Sequence, residues 1–435
     1  MSENNRASFG GKLSVVLVAA GSAIGLGAIW RFPYIAGKHG GAAFLLVFLL
    51  SVFAVGIPAM LAEFAVGRKT RKNAVGSYRE LSKKWSWLGY SGVLGALLIS
   101  GYYYIIAGWS LEYMVTSATN VLYSSPLSFT EQFGEFQGSW RPLFYAVAFI
   151  LLTHFIIARG VEKGIEKATR IMMPALFIIL IIMAVRVAFM PGAIEGYRFF
   201  LSPDFKAAFA PETIMMAIGQ AFFSLSVGMG CMVTYASYFK KDNNLVQTSF
   251  NVALLTLLVS VLAGLVIFPA VFSAGLQPTE GASLIFVTLP EIFKGVPFAA
   301  VWSTVFFLLV TLASLTSTIS FHEVLTAYIA EEFRLARRWA ASVVSLVSIL
   351  LSVLTLSVAT LVDVFDYLAA NILMPIGAMF TCIFVSWVMK RSFMKDELSN
   401  CGTIKSRIVP VIVFMLRYVT PLIILYIFFR NLGVL

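Results

Sequence analysis

Two apolar stretches are each interrupted by closely spaced glycines: Gly21-Ser22-Ala23-Ile24-Gly25-Leu26-Gly27 and Ser224-Leu225-Ser226-Val227-Gly228-Met229-Gly230. Such a run inside a membrane-length segment predicts a helix that stops and restarts. The restarted half presents unpaired N–H groups and the positive end of its dipole, about half a charge, which suits a carboxylate. The halted half presents free carbonyls, which together with hydroxyls suit a hard cation. Either break alone reads as close helix packing through small residues. Two at corresponding positions point instead to a ligand site, because backbone freed at membrane depth must line a cavity or be buried in protein. Other chemistry finds no support. His39, His154 and His322 have no paired metal spacing and no Ser–His–Asp arrangement. There is no Gly-x-x-x-x-Gly-Lys-Ser/Thr loop to hold a nucleotide. Cys231, Cys382 and Cys401 suggest neither a metal site nor a disulfide framework.

The elements that must carry these groups follow from composition. The chain has 435 residues, 59% hydrophobic and 12% charged, against roughly 45–50% and about 25% in soluble domains. That leaves too little polar surface for a water-soluble enzyme. Apolar segments near 13–36, 42–66, 88–118, 142–159, 168–190, 212–238, 248–274, 298–330, 336–358, 362–389 and 408–429 are each long enough to span a bilayer. The net charge of +11 sits in short clusters between these spans, such as Arg68 to Lys84. That placement is the positive-inside pattern and not a nucleic-acid surface. It puts the N-terminus inside and, with eleven spans, the C-terminus outside. No cleavable signal peptide is expected. The two breaks are five spans apart, and five steps reverse direction. The expected architecture is therefore an all-α membrane domain, residues 1–435, built as a 5 + 5 inverted repeat. The repeats cover about 12–190 and 210–390, with a further helix at 408–430.

The first break, continued through Trp30-Arg31-Phe32-Pro33, resembles the signature of the neurotransmitter:sodium symporter family. So do Gly219 to Gly230 followed by Thr234-Tyr235-Ala236-Ser237-Tyr238, Glu63 to Arg68 after the second span, Tyr102-Tyr103, and Leu315-Thr316-Ser317. The resemblance covers nearly the whole chain and is similar to the shorter, eleven-helix bacterial members with the LeuT-type fold. It implies a site for one amino acid between spans 1, 3, 6 and 8. Amides near Leu26 and Gly27 and the Tyr103 hydroxyl would hold the carboxylate. Ser22, Ala23, Ile99, Phe223, Ser224, Ser226, Met229, Ser317 and Phe321 would complete the site. Gly25 stands where monoamine carriers of the family resemble it but bear Asp, so it leaves room for a substrate carboxylate. A charged substrate side chain would find no partner in this lining, which favours neutral, apolar or aromatic amino acids.

The resemblance further implies one sodium ion at the carbonyls of Gly21, Ile24 and Ala313 and the hydroxyls of Thr316 and Ser317. A second family site would use Ala23, Ser224 and Thr256, but two Asn ligands are replaced by Ala28 and Thr256, which predicts a weak or absent ion. Ser260, Gln220 and Ser224 align with chloride ligands, whereas Phe48 replaces the usual tyrosine, so chloride is not expected. Arg31 with Asp366 would form an outer gate. Arg6 with Glu331, near Ser237 and Tyr238, would form an inner one. The Gly164-to-Pro174 spacing resembles bacterial members in which the start of the fifth span unwinds.

These observations lead to an expected function, sodium-coupled symport of neutral amino acids by alternating access. An amino-acid-binding receptor (transceptor), a channel, and proton coupling through Glu63 are the competing readings. No enzymatic activity is expected. The expected setting is the bacterial cytoplasmic membrane, multi-pass with the N-terminus cytoplasmic. The expected partners are lipid and a small-molecule substrate, with the chain a monomer or weak homo-oligomer and no nucleic acid bound.

Overall fold

The computed structural model describes residues 7–202, 204–276, 284–358, 360–390, 392–402 and 408–431. Among the described residues all regular structure is helical. An apolar segment in lipid must satisfy its backbone within itself, and among the described residues nine continuous helices and one bent pair are long and apolar enough to cross a membrane, with a shorter interrupted pair as the sixth in order. The continuous helices are α2 (Ala42–Thr70), α3 (Lys83–Ala118), α4 (Arg141–Ala158), α5 (Val161–Ala188), α7 (Leu245–Ser273), α8 (Ala299–Glu332), α9 (Arg337–Ser357), α10 (Thr360–Val388) and α11 (Val409–Arg430). The first span, α1, is a bent pair, Lys12–Ala23 and Gly27–Lys38, turned by 55°. The sixth, α6, is Pro211–Ser224 and Cys231–Ala236, separated by residues 225–230.

Burial sorts these helices into centre and periphery. The apolar windows of α3, α7 and α2 are 72%, 67% and 61% buried, whereas those of α4 and α5 are 33% and that of α11 is 28%. The peripheral helices turn Phe155, Ile171, Ile178 and Leu422 outward, an apolar surface that a bilayer covers. Between helices, small residues allow backbones to touch. A Cβ on Gly108 of α3 would lie 2.7 Å from the Ala146 amide nitrogen of α4, so only glycine permits that approach.

Two local expectations are corrected. The Glu63-to-Arg68 motif lies inside α2 and not beyond it. The Arg68 charge does not end the helix because protein groups satisfy it: Nε reaches Glu397 Oε2 at 2.9 Å, and Nη1 reaches Asn243 O at 2.7 Å and Asn400 Oδ1 at 2.8 Å. The helix stops three residues later, at Arg71 in the left-handed conformation (φ 53°). The second half of α6 is short, since helix resumes only after Gly230.

Both interruptions have a backbone cause. In α1, Ile24 is extended (φ −93°, ψ 92°), and the chain resumes as a wide turn over Gly27–Arg31, with Pro33 in the next turn. In the α6 interruption Ser226, Gly228 and Gly230 all have positive φ (52°, 89° and 75°). Runs of left-handed residues do not propagate a helix. In α5, Pro174 sits within Lys167–Ala188 without ending it, and the first turns, Val161–Glu166, are wide.

Candidate functional site

The backbone groups released by the two interruptions meet one another and a few side chains from neighbouring helices. The Leu26 amide donates to the Tyr103 hydroxyl at 3.1 Å. Gln220 Nε2 donates to Gly27 O at 2.8 Å and to Ser224 Oγ at 2.9 Å. Ser226 Oγ donates to Ser22 O at 2.8 Å, stitching one break to the other. From α2, Glu63 accepts from the Gly228 amide at 2.6 Å.

Around this junction lies a small cavity. Its walls include Ser22, Ala23, Gly25, Gly27, Ile99, Tyr103, Phe223, Ser226, Met229, Ser317 and Phe321, together with Cys231 and Ser320. The last two were not singled out from sequence; both follow from helical spacing, one turn beyond the α6 break and one turn beyond Ser317. Leu26 and Ser224 are not among the lining residues and contribute through the hydrogen bonds just given. No charged side chain lines the cavity. A lone carboxylate entering it would find the proton of the Tyr103 hydroxyl, whose oxygen already accepts from the Leu26 amide, and the restarted helix of α1.

Of the five oxygens expected to hold sodium, those of Thr316, Ile24 and Ala313 meet beside this cavity. Thr316 Oγ1 lies 2.8 Å from Ile24 O and 2.8 Å from Ala313 O. Gly21 faces the same threonine, since a Cβ built on it would lie 3.7 Å from Thr316 Cβ. Ser317 Oγ points at Gly25, where an added Cβ would collide with it. This is a cluster of hard oxygens of the kind a sodium ion takes. The second expected set is different. Thr256 Oγ1 donates to Val252 O of its own helix at 2.9 Å, and Ser224 Oγ is taken by Gln220. Ala28 is fully buried and offers no side-chain oxygen. Among the residues aligned with chloride ligands, Ser260 donates to Thr256 O at 3.0 Å, and the Phe48 ring packs on Phe32 with centroids 5.0 Å apart.

The expected gates are placed as follows. Arg31 and Asp366 do not form a direct ion pair. The Arg31 guanidinium lies over the Phe223 ring, 4.4 Å from its centroid, and Asp366 accepts from the Tyr102 hydroxyl at 2.7 Å. Phe223 lines the central cavity, while Arg31 lines a second, outer space of about 510 Å³ with Gln220, Phe222 and Asn371. The Arg31–Phe223 contact is thus the roof between the two, and the cation rests on the ring's negative face. Arg6 lies outside the described residues. Glu331 accepts from the Asn73 amide at 2.8 Å and from its side chain at 3.0 Å. Tyr238 donates to Glu323 at 2.6 Å, and Arg337 of α9 grips the same carboxylate. Phe9 packs edge-on against Tyr235 and Tyr238, at 6.3 and 5.8 Å. Beside it, Glu166 at the start of α5 holds the Gly10 amide at 2.9 Å and the Ser14 hydroxyl at 2.6 Å. The Glu166–Ser14 pairing joins residues 152 positions apart and the Glu323–Arg337 pairing crosses the turn between α8 and α9, and no helical spacing announces either.

Gly228 is the tightest point of the junction. Its φ of +89° is one that glycine adopts without strain, and a Cβ there would strike the Met374 carbonyl of α10. Gly228→Ala is expected to destabilise the protein by about 2–4 kcal/mol, from backbone strain and overpacking together. Thermal unfolding in detergent measures this, and an unchanged midpoint would refute it.

Comparison with known proteins gives a consistent picture. The chain matches the sodium:neurotransmitter symporter family over residues 6–130 and 138–435. It is 37% identical to an uncharacterized sodium-dependent transporter, YhdH, of Bacillus subtilis, over 453 residues that cover 100% of both chains. It is 27% identical to the sodium- and chloride-dependent GABA transporter 2 of Rattus norvegicus, over 97% of this chain and 79% of that one. The crystal structure of MhsT in complex with L-phenylalanine superposes with a TM-score of 0.91 at 38% identity, over 99% of this chain and 100% of the other.

Proposed function

The chain belongs to the sodium:neurotransmitter symporter family, a family of sodium-dependent membrane transporters and not of enzymes, and from that premise we propose that it carries neutral, apolar or aromatic amino acids together with sodium. The observation that carries this reading is the pairing of an amide and a hydroxyl, Leu26 N–H and Tyr103 O–H, at the edge of a cavity with no charged wall. The Tyr103 oxygen takes the Leu26 N–H, which leaves the hydroxyl proton for a carboxylate, and the α-ammonium of an amino acid would meet the carbonyls of the interrupted helices. Gly25 supports it, since no protein carboxylate occupies that position. The phenylalanine bound by MhsT supports the aromatic end of the substrate range.

Sodium is a co-substrate here. Bound between Gly21, Ile24, Ala313, Thr316 and Ser317, it would draw the α1 break against α8 and so favour one arrangement of the bundle. It shifts that balance only as far as its affinity differs between the arrangements. We infer coupling to one ion, since the second set (Ala23, Ser224, Thr256) has lost the side-chain oxygen that Ala28 replaces. Chloride is not required on this reading. Arg31 above Phe223, with Asp366 held by Tyr102, forms the outer closure. Glu331, Tyr238 and Arg6 belong to the inner one. The first and second groups of five spans, 12–190 and 210–390, move as inverted repeats about the junction, with 408–430 as an addition, and the N-terminus is cytoplasmic in a bacterial membrane.

Uptake of labelled neutral amino acids into proteoliposomes tests this, comparing an inward sodium gradient with an equal potassium gradient. Accumulation that requires sodium, with a Hill coefficient near one, is expected. A coefficient near two would remove the single-ion reading. Uptake indifferent to sodium would move the driving ion to the proton and to Glu63. Binding without uptake would leave a receptor.

A further inference from the structure

Phe321 closes one end of the central cavity, and the groups that hold its ring stand behind it. Tyr103 and Tyr104 meet the ring edge-on, with centroids 5.3 and 5.5 Å away. Tyr104 is fully buried, so its hydroxyl needs a partner inside the protein. That partner is Nδ1 of His322, at 2.9 Å, the residue that follows Phe321 on α8. His322 is itself fully buried. Its Nε2 faces Ser345 Oγ of α9 at 3.5 Å, and the same oxygen lies 3.1 Å from Nδ1 of His154 on α4.

The direction of this chain follows from Ser345. Its oxygen lies 2.9 Å from Ala341 O, and that carbonyl also accepts from the His322 ring, so the side of the ring that faces α9 meets acceptors. His322 therefore carries its proton on Nε2 and turns the Nδ1 lone pair to Tyr104, whose hydroxyl donates. Side chains from α3, α8, α9 and α4 are ordered one way, and neither histidine belongs to the amide, hydroxyl or carbonyl groups assigned to substrate and sodium.

We propose that His322 is a specificity-determining positioning residue: by accepting the Tyr104 hydrogen bond it fixes the ring that braces Phe321, and so sets how well the cavity holds a large substrate side chain. The inference rests on the reading of the cavity as an amino-acid site. Edge-to-face contacts are directional, and a tyrosine anchored at its hydroxyl cannot swing from the ring it supports. An apolar residue at position 322 removes the acceptor that orients this hydroxyl and leaves only Thr153 of α4 beside it, so Tyr104 turns toward that residue and Phe321 loses its brace. A large side chain reaches Phe321; a methyl group does not.

The test is competition binding on purified full-length protein at saturating sodium, with phenylalanine and alanine as competitors. In His322→Leu, the affinity for phenylalanine relative to alanine is expected to fall at least fivefold, with the sodium titration unchanged. His322→Asn, whose amide oxygen can still accept, is expected to stay within twofold of the parent ratio. Tyr104→Phe is expected to reproduce the leucine variant, and it carries the test if His322→Leu does not fold. A parent-like ratio in both Tyr104→Phe and His322→Leu overturns the inference, as does a parallel loss for both competitors. Failure of the parent protein to bind any neutral amino acid overturns the amino-acid reading itself, a result separate from an unchanged ratio.

Discussion

Thr316→Val is expected to raise the sodium concentration for half-maximal uptake by about 10- to 100-fold while leaving the substrate affinity at saturating sodium nearly unchanged. The threonine hydroxyl lies 2.8 Å from both Ile24 O and Ala313 O, so it sits where carbonyls from α1 and α8 converge. Valine keeps the branched shape and removes the oxygen. An interaction of a polar group with a charge contributes about 1.5–3 kcal/mol, which is the origin of the expected factor. Ser317→Ala provides the contrast. Its hydroxyl points at Gly25 and lines the substrate cavity, so its loss is expected to weaken both ligands. Sodium titrations of uptake at two fixed substrate concentrations separate the cases. If Thr316→Val keeps the parent sodium dependence, the ion is not held at this junction.

What could be read from sequence and what could not divides along a physical line. Span positions follow from hydropathy because lipid imposes a length and forbids unpaired backbone. The two interruptions were visible because they fall at corresponding positions five spans apart, which close packing through small residues does not by itself explain. The fold expected from the resemblance agrees with the superposition on MhsT. The ends of α2 were misread because hydropathy treats every arginine as solvated, whereas Arg68 is buried against Glu397, Asn243 and Asn400. Buried polar pairings were the hardest class. Glu166 with Ser14 and Tyr104 with His322 depend on which faces of distant helices meet, and that is decided by packing of the whole bundle. The Arg31–Asp366 pairing illustrates the same limit from the other side: opposite charges at the right depth suggested a direct contact, yet each takes a nearer aromatic partner, Phe223 and Tyr102.

Gly25→Ala is expected to lower the affinity for any amino-acid substrate at least 100-fold, about 2.7 kcal/mol. Gly25 lies at the α1 break, facing α3 and α8. A Cβ there would run into Ser317 Oγ, and would stand 3.0 Å from both Ser317 Cβ and the Tyr103 hydroxyl. The serine hydroxyl can rotate aside, but its Cβ and the tyrosine oxygen are held by their helices. The added methyl group therefore takes the volume between the Leu26 amide, the Tyr103 hydroxyl and Ser317, which is where a substrate carboxylate would lie. Tyr103→Phe is expected to cost about 10-fold, since it removes one donor and adds no obstruction. Equilibrium binding of labelled amino acid at saturating sodium measures both, and thermal unfolding without substrate checks that the alanine variant is folded. A folded Gly25→Ala variant that binds amino acids normally would place the carboxylate elsewhere, and with it the argument that this glycine makes the site one for amino acids. The expected order, Gly25→Ala far worse than Tyr103→Phe, distinguishes lost space from a lost hydrogen bond, because only the first excludes the ligand while leaving both donors intact.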